Sequence, residues 1–133
     1  VSKGRIAKEV VLWIITLLLA LLCLRSGWLK VSGNVSWVRD FHRWGYPDWF
    51  RIVVGIAELA STVLLLIPRV ASYGAGLFAL VMLGAILTHA THGESSRLPF
   101  NFLLLGLSLI IVFARRPFFL RRGFASKVGE ADE

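Results

Sequence analysis

A single cysteine, Cys23, stands in the chain. That excludes an intrachain disulfide and any cysteine-based metal or iron–sulfur centre. Acidic residues are also scarce, with 8 Asp and Glu against 15 Lys and Arg, and the formal net charge is +7. The basic residues punctuate apolar runs and form no continuous face, so they read as topology determinants and lipid-headgroup contacts, not as a nucleic-acid surface. No Ser–His–Asp set, Gly-rich phosphate loop or pair of catalytic carboxylates is visible, and nothing in the residues establishes an enzyme. What the chain has in abundance is apolar surface. Its 133 residues are 56% hydrophobic, with a mean hydropathy of +0.71, against roughly half apolar in a soluble domain. A soluble fold this small keeps much of its surface wet and could not hide so much. The expectation is one membrane domain.

Four apolar runs organise the sequence, at about residues 6–24, 50–67, 70–88 and 98–114. Each approaches the ~20 residues that cross a bilayer core as a helix. They are too long and too little alternating for barrel strands, and a helix satisfies its backbone polar groups internally, as lipid requires. The fold class expected is therefore an all-α, polytopic four-helix membrane bundle. The start of the chain, with Lys3, Arg5 and Lys8 before an apolar stretch, has the form of a signal peptide. Leu21-Leu22 before Cys23 lacks the small residues that cleavage or lipidation needs, so an uncleaved first span is expected.

Pro68-Arg69 is a minimal turn that makes spans two and three antiparallel neighbours, and His92 to Arg97 is a short polar turn. The long connection, Arg25 to Trp49, mixes Trp28, Trp37, Trp44 and Trp49 with charges, as interfacial anchors do. Val35, Val38, Phe41 and His42 fall at helical spacing, so a short interfacial helix is expected there. Gly45-Tyr46-Pro47-Asp48 reads as a turn. Beyond the fourth span, Arg115, Arg116, Arg121 and Arg122 alternate with aromatics as a cytoplasmic anchor, and residues 115–133 end in an acidic, disordered tail. With four spans, Lys and Arg divide nine on the side of the termini and six on the other. That division places both termini in the cytoplasm, here of a bacterial inner membrane.

Ionisable residues inside spans are expensive and face the bundle interior, a partner or a water-filled cavity. Span one ends near Arg25 and Lys30, and Glu58 lies about eight residues, or ~12 Å, inside the outer end of span two. Span three finishes at His89 and His92, and span four begins near Asn101. All six residues share the outer half of the bundle. As a functional site they form a polar pocket for a headgroup such as a quinone ring, or a proton relay. As a structural feature they are an ion pair of Glu58 with Lys30 or Arg25 and two interfacial histidines. His89 and His92, with Glu94 as a third donor, make a poor metal motif at a helix end, and no metal is expected. Ala71, Ala75 and Ala79, with Ser72 and Gly76 beside them, form a small-residue stripe suited to close helix packing.

Gly27-Trp28-Leu29-Lys30 at the end of span one resembles the DoxX and DoxX-like membrane family. The likeness continues through Phe41, Gly45, Pro47, Asp48-Trp49 and Gly55-Ile56-Ala57-Glu58-Leu59. It then runs through Leu64 to Arg69 and Met82 to His89, covering roughly residues 10 to 114. The resemblance implies a four-helix bundle and a place beside redox enzymes. Within that family are a subunit of a thiosulfate:quinone oxidoreductase, members linked to oxidative-stress complexes, and more distant membrane chaperones. Its recurrent Lys and Glu correspond to Lys30 and Glu58. The leading functional expectation is an accessory or assembly subunit of a membrane redox complex, partnered by other membrane subunits. Alternatives are a quinone-reactive or thiosulfate-linked oxidoreductase subunit, and a lipid-binding or transport protein. The last is disfavoured because no span is visibly broken and no inverted repeat stands out.

Overall fold

The computed structural model of the protein describes residues 2–115. Its elements are α1 (Lys3–Ser32), α2 (Val35–Trp44), α3 (Asp48–Leu66), α4 (Ala71–Thr91) and α5 (Leu98–Ala114), with a 3-10 turn at Ser95–Arg97 leading into α5. Four of these segments are long and apolar enough to span a membrane: α1, α3, α4, and α5 with its preceding turn. Arg116, Arg121, Arg122 and the rest of the expected anchor and tail lie outside the described residues.

The first span is longer than the apolar run. α1 has 30 residues, about 45 Å at 1.5 Å per residue, whereas the hydrocarbon core is ~30 Å thick. Its apolar core is extended at both ends by polar turns, so Arg25 and Lys30 lie on the helix and not in a loop. Ser2 caps its start by accepting from the Arg5 amide at 3.2 Å. The buried positions Leu12, Thr16, Leu19, Cys23, Gly27 and Lys30 recur every three or four residues and form one inward stripe.

α1 packs against α3, α3 against α4, and α4 against α5, while α5 closes back on α1. At the end of the bundle carrying the described N-terminus, Arg115 pairs with Glu9 at 2.8 Å and stacks over Trp13. This half is filled by Leu12, Leu19, Ala71, Ala75, Leu65 and Ile111, all buried. The small-residue stripe of α4 turns inward: Ala71, Ser72, Ala75 and Ala79 are buried, and Ser72 donates to the Val112 carbonyl on α5 at 3.0 Å.

The α1–α3 contact sets the geometry of everything above it. A Cβ at Gly27 would meet the Gly55 carbonyl oxygen at 2.8 Å, and one at Gly55 would meet the Gly27 oxygen at 2.9 Å. Two facing glycines let the backbones touch, the close approach that small residues allow in membranes. The interfacial segment expected between spans one and two is α2. Asn34 caps it by accepting from the Ser36 amide at 3.1 Å, and it ends at Gly45, whose φ of 83° is left-handed.

Candidate functional site

Lys30 and Glu58 start from opposite sides of the glycine contact. The Cβ of Glu58 lies against Gly27, and the Cβ of Lys30 against Gly55. Side chains on a helix lean toward its N-terminus, so on two antiparallel helices these two lean toward each other. They meet as an ion pair, Nζ to Oε1, at 2.6 Å, with side-chain exposures of 7% and 1%. The Lys30 ammonium also donates to Ser26 Oγ at 2.7 Å and sits 4.0 Å from the centroid of the Trp37 ring. Behind the pair, the buried Arg51 guanidinium donates to the Lys30 carbonyl, placing positive charge at the C-terminal end of α1, where the helix dipole favours it.

Above the pair lies a cavity of about 640 Å³, within the size range of small-molecule sites. Trp37, Phe41 and Trp44 of α2, with Tyr46 and Phe50, form an aromatic wall, and Glu58, His89 and Asn101 contribute polar groups. Phe41 anchors that wall: its ring lies 5.2 Å from Trp44 and 6.0 Å from Tyr46, centroid to centroid. The lining also includes Leu80 and Phe100, which are largely exposed on the apolar exterior, so the cavity reaches the membrane-facing surface at α4 and α5. Two buried polar atoms on the lining have no hydrogen-bond partner among the described residues, Glu58 Oε2 and Asn101 Nδ2.

A polar clasp holds α2 over the cavity. Glu94, in the turn before α5, accepts from Arg43 at 2.6 Å and Trp44 Nε1 at 2.7 Å, and from His89 Nδ1 at 3.1 Å. Asp40, buried on α2, pairs with Arg97 at 3.3 Å and Arg43 at 3.2 Å. Tyr46 and Thr88 hydroxyls meet at 2.8 Å. Burial pushes the Glu94 carboxyl up. The hydrogen bonds from His89 and Trp44, with the charges of Arg43 and Arg97, outweigh that effect and hold it below the ordinary value of 4.5.

Of the six polar residues expected at one depth, the structure brings Lys30, Glu58, His89 and Asn101 around one cavity. Arg25 is exposed, about 140° around α1 from Lys30 at 100° per residue, and takes no place in the lining. His92 is also exposed, and its Nδ1 turns back to the Thr88 carbonyl at 2.7 Å. Of the four interfacial tryptophans, Trp28 and Trp49 are exposed to the surroundings, at 61% and 65%. Trp37 and Trp44 are drawn into the cavity wall instead, because each has a polar partner there: the Lys30 ammonium and Glu94. Asp40, Arg43 and Thr88 were not singled out from the sequence, and Tyr46 and Arg97 were read only as parts of turns. The helical spacing of α2 pointed toward Asp40 and Arg43 alone.

The DoxX-like family model matches residues 14–111. An uncharacterized protein of Bacillus subtilis, YdgD, is 37% identical over 82 residues, covering 59% of this chain and 72% of that protein. No solved structure matches the chain. With four membrane-spanning helices and a family match across all of them, this chain is an integral membrane protein that belongs to the DoxX-like family.

Proposed function

We propose that the protein is an accessory subunit of a membrane redox complex and holds the ring of a lipid-soluble quinone in the cavity beneath α2. In this reading both termini face the cytoplasm of a bacterial inner membrane. The observation that carries it is a lipid-accessible, aromatic-walled cavity in which the only unpartnered buried polar atoms among its described lining residues are those of Glu58 and Asn101. Flat aromatic walls suit a ring, and a few convergent polar groups fix its orientation. Holding is also what these groups are equipped for: Lys30 and Glu58 neutralise each other. The redox setting rests on the family resemblance. A second reading, a lipid-binding protein, draws on the exposed Leu80 and Phe100 at the cavity margin.

Native mass spectrometry on protein extracted gently from its own membrane tests both parts. The expected result is a larger assembly containing a redox subunit, with a quinone-sized adduct on this chain that Asn101→Leu weakens. A phospholipid adduct in the same cavity transfers support to the second reading. A lone chain without adduct would sink the proposal.

A further inference from the structure

We infer that the cavity selects a ligand head that donates a hydrogen bond, and so prefers the reduced, hydroquinone form of its ring to the oxidised quinone. The inference rests on the quinone-holding reading above and adds to it a direction of selectivity.

It follows from counting donors and acceptors around Glu58. An ammonium has three N–H groups and no acceptor. Those of Lys30 are committed to Ser26 Oγ at 2.7 Å, to Glu58 Oε1 at 2.6 Å and toward the face of Trp37, 4.0 Å from its centroid. Lys30 therefore has nothing left to offer a carbonyl in the cavity. The Arg51 guanidinium, which has an unpartnered Nε, is turned to the Lys30 carbonyl and is not part of the cavity lining. Glu58 is 0% exposed, and its Oε2 lacks a partner among the described residues. A carboxylate oxygen paired with an ammonium can only accept. The one buried side-chain amide on the lining, Asn101, exchanges its donor and acceptor ends by a flip and serves either kind of group.

Elsewhere on the lining the Tyr46 and Thr88 hydroxyls pair with each other, and Trp44 and Arg97 donate to Glu94 and Asp40; beside the ion pair the discriminating atom is Glu58 Oε2. A quinone presents two carbonyl oxygens, both acceptors. Against Oε2 it sets lone pair against lone pair, and the carboxylate oxygen stays desolvated and unsatisfied. A hydroquinone presents an O–H there, and hydrogen bonds to charged groups are the stronger class. Asn101 accommodates either form at its end of the ring.

The test uses the full chain in nanodiscs, with empty nanodiscs as the baseline for partitioning. Three probes of one shape are compared by equilibrium partition and chromatography under argon: a decyl benzoquinone, its hydroquinone, and the hydroquinone dimethyl ether. The hydroquinone is expected to bind about tenfold tighter than the quinone, or more. The ether, which cannot donate, is expected to bind no better than the quinone. In Glu58→Gln the preference should collapse, because an amide can donate to a carbonyl. The ether comparison does not depend on that variant folding. If quinone and hydroquinone are both enriched and bind equally, or the quinone binds tighter, the selectivity is overturned and the quinone-holding reading survives. If none of the probes is enriched over empty nanodiscs, both fail.

Discussion

Replacing Lys30 and Glu58 singly and together makes the sharpest demand on the structure. Both side chains are buried, they are 2.6 Å apart, and neither reaches bulk water. Removing one partner of a buried pair typically costs about 3–5 kcal/mol, because it strands the other charge. In Glu58→Met the ammonium keeps Ser26 and the Trp37 face, and the latter is worth up to ~2 kcal/mol in a desolvated site. Each single variant should lose about 3 kcal/mol or more, Glu58→Met the less of the two. The double variant Lys30→Met/Glu58→Met strands nothing and leaves volume that flexible Met side chains fill, so it should return to within about 1 kcal/mol of the parent. The double loss should fall short of the summed single losses by about 5 kcal/mol. Arg25→Met, on the exposed face of the same helix, should change stability by no more than about 0.5 kcal/mol. Reversible unfolding in mixed micelles, titrated with sodium dodecyl sulfate and followed by tryptophan fluorescence and circular dichroism, measures all four. Additive losses, or an Arg25 effect as large as that of Lys30, would refute the pairing.

Two further perturbations probe the glycine contact and the clasp. In Gly55→Ala the new Cβ falls 2.8 Å from Val31 Cγ2 and 2.9 Å from the Gly27 carbonyl oxygen. It should cost about 1–3 kcal/mol. Gly76→Ala, which meets nothing within 4 Å, should be neutral or stabilising by up to about 1 kcal/mol; equal effects at the two positions would show that the helices do not touch at Gly27 and Gly55. Because the Glu94 carboxyl is held below its ordinary value of 4.5, its contribution to the clasp is complete above that value. It is lost as the pH falls further, through the lowered value. Hydrogen exchange of α2 (Val35–Trp44), corrected for intrinsic rates, should therefore speed up below about pH 4. Glu94→Gln should flatten that dependence, and an acid response unchanged in Glu94→Gln would assign the effect to other groups.

The four spans were legible because hydropathy over ~20 residues needs only composition, and lipid imposes the helix on whatever is apolar enough. The meeting of Lys30 with Glu58 was legible for a different reason. In a four-span bundle, distance along each helix translates into depth, and two opposite charges at one depth have few other places to go. Depth carries no azimuth, however. Arg25 shares the level of the cluster but points away from it, and only the buried stripe through Cys23, Gly27 and Lys30 separates the two. The clasp was illegible because Asp40, Arg43, Glu94 and Arg97 look like ordinary interfacial charges until α2 is laid across the bundle. The partners that α2 and Tyr46 find across the bundle lie 42 to 57 residues away in the sequence, and no local pattern encodes so remote a pairing. Trp37 and Trp44 were expected as interfacial anchors; that they also line the cavity depends on Lys30 and Glu94, partners that only the fold brings to them.

Among the described residues the hollow lies at the α2 end of the molecule, whereas Leu12, Leu19, Ala75 and Ile111 fill the other end. In architectural terms the bundle is a cul-de-sac, not a corridor. On the proposed quinone-holding reading, an occupant would enter and depart through the same doorway, with no passage through the filled end. On that reading, a partner that trades molecules with this chamber would dock at, or approach through, the end where α2 forms the roof.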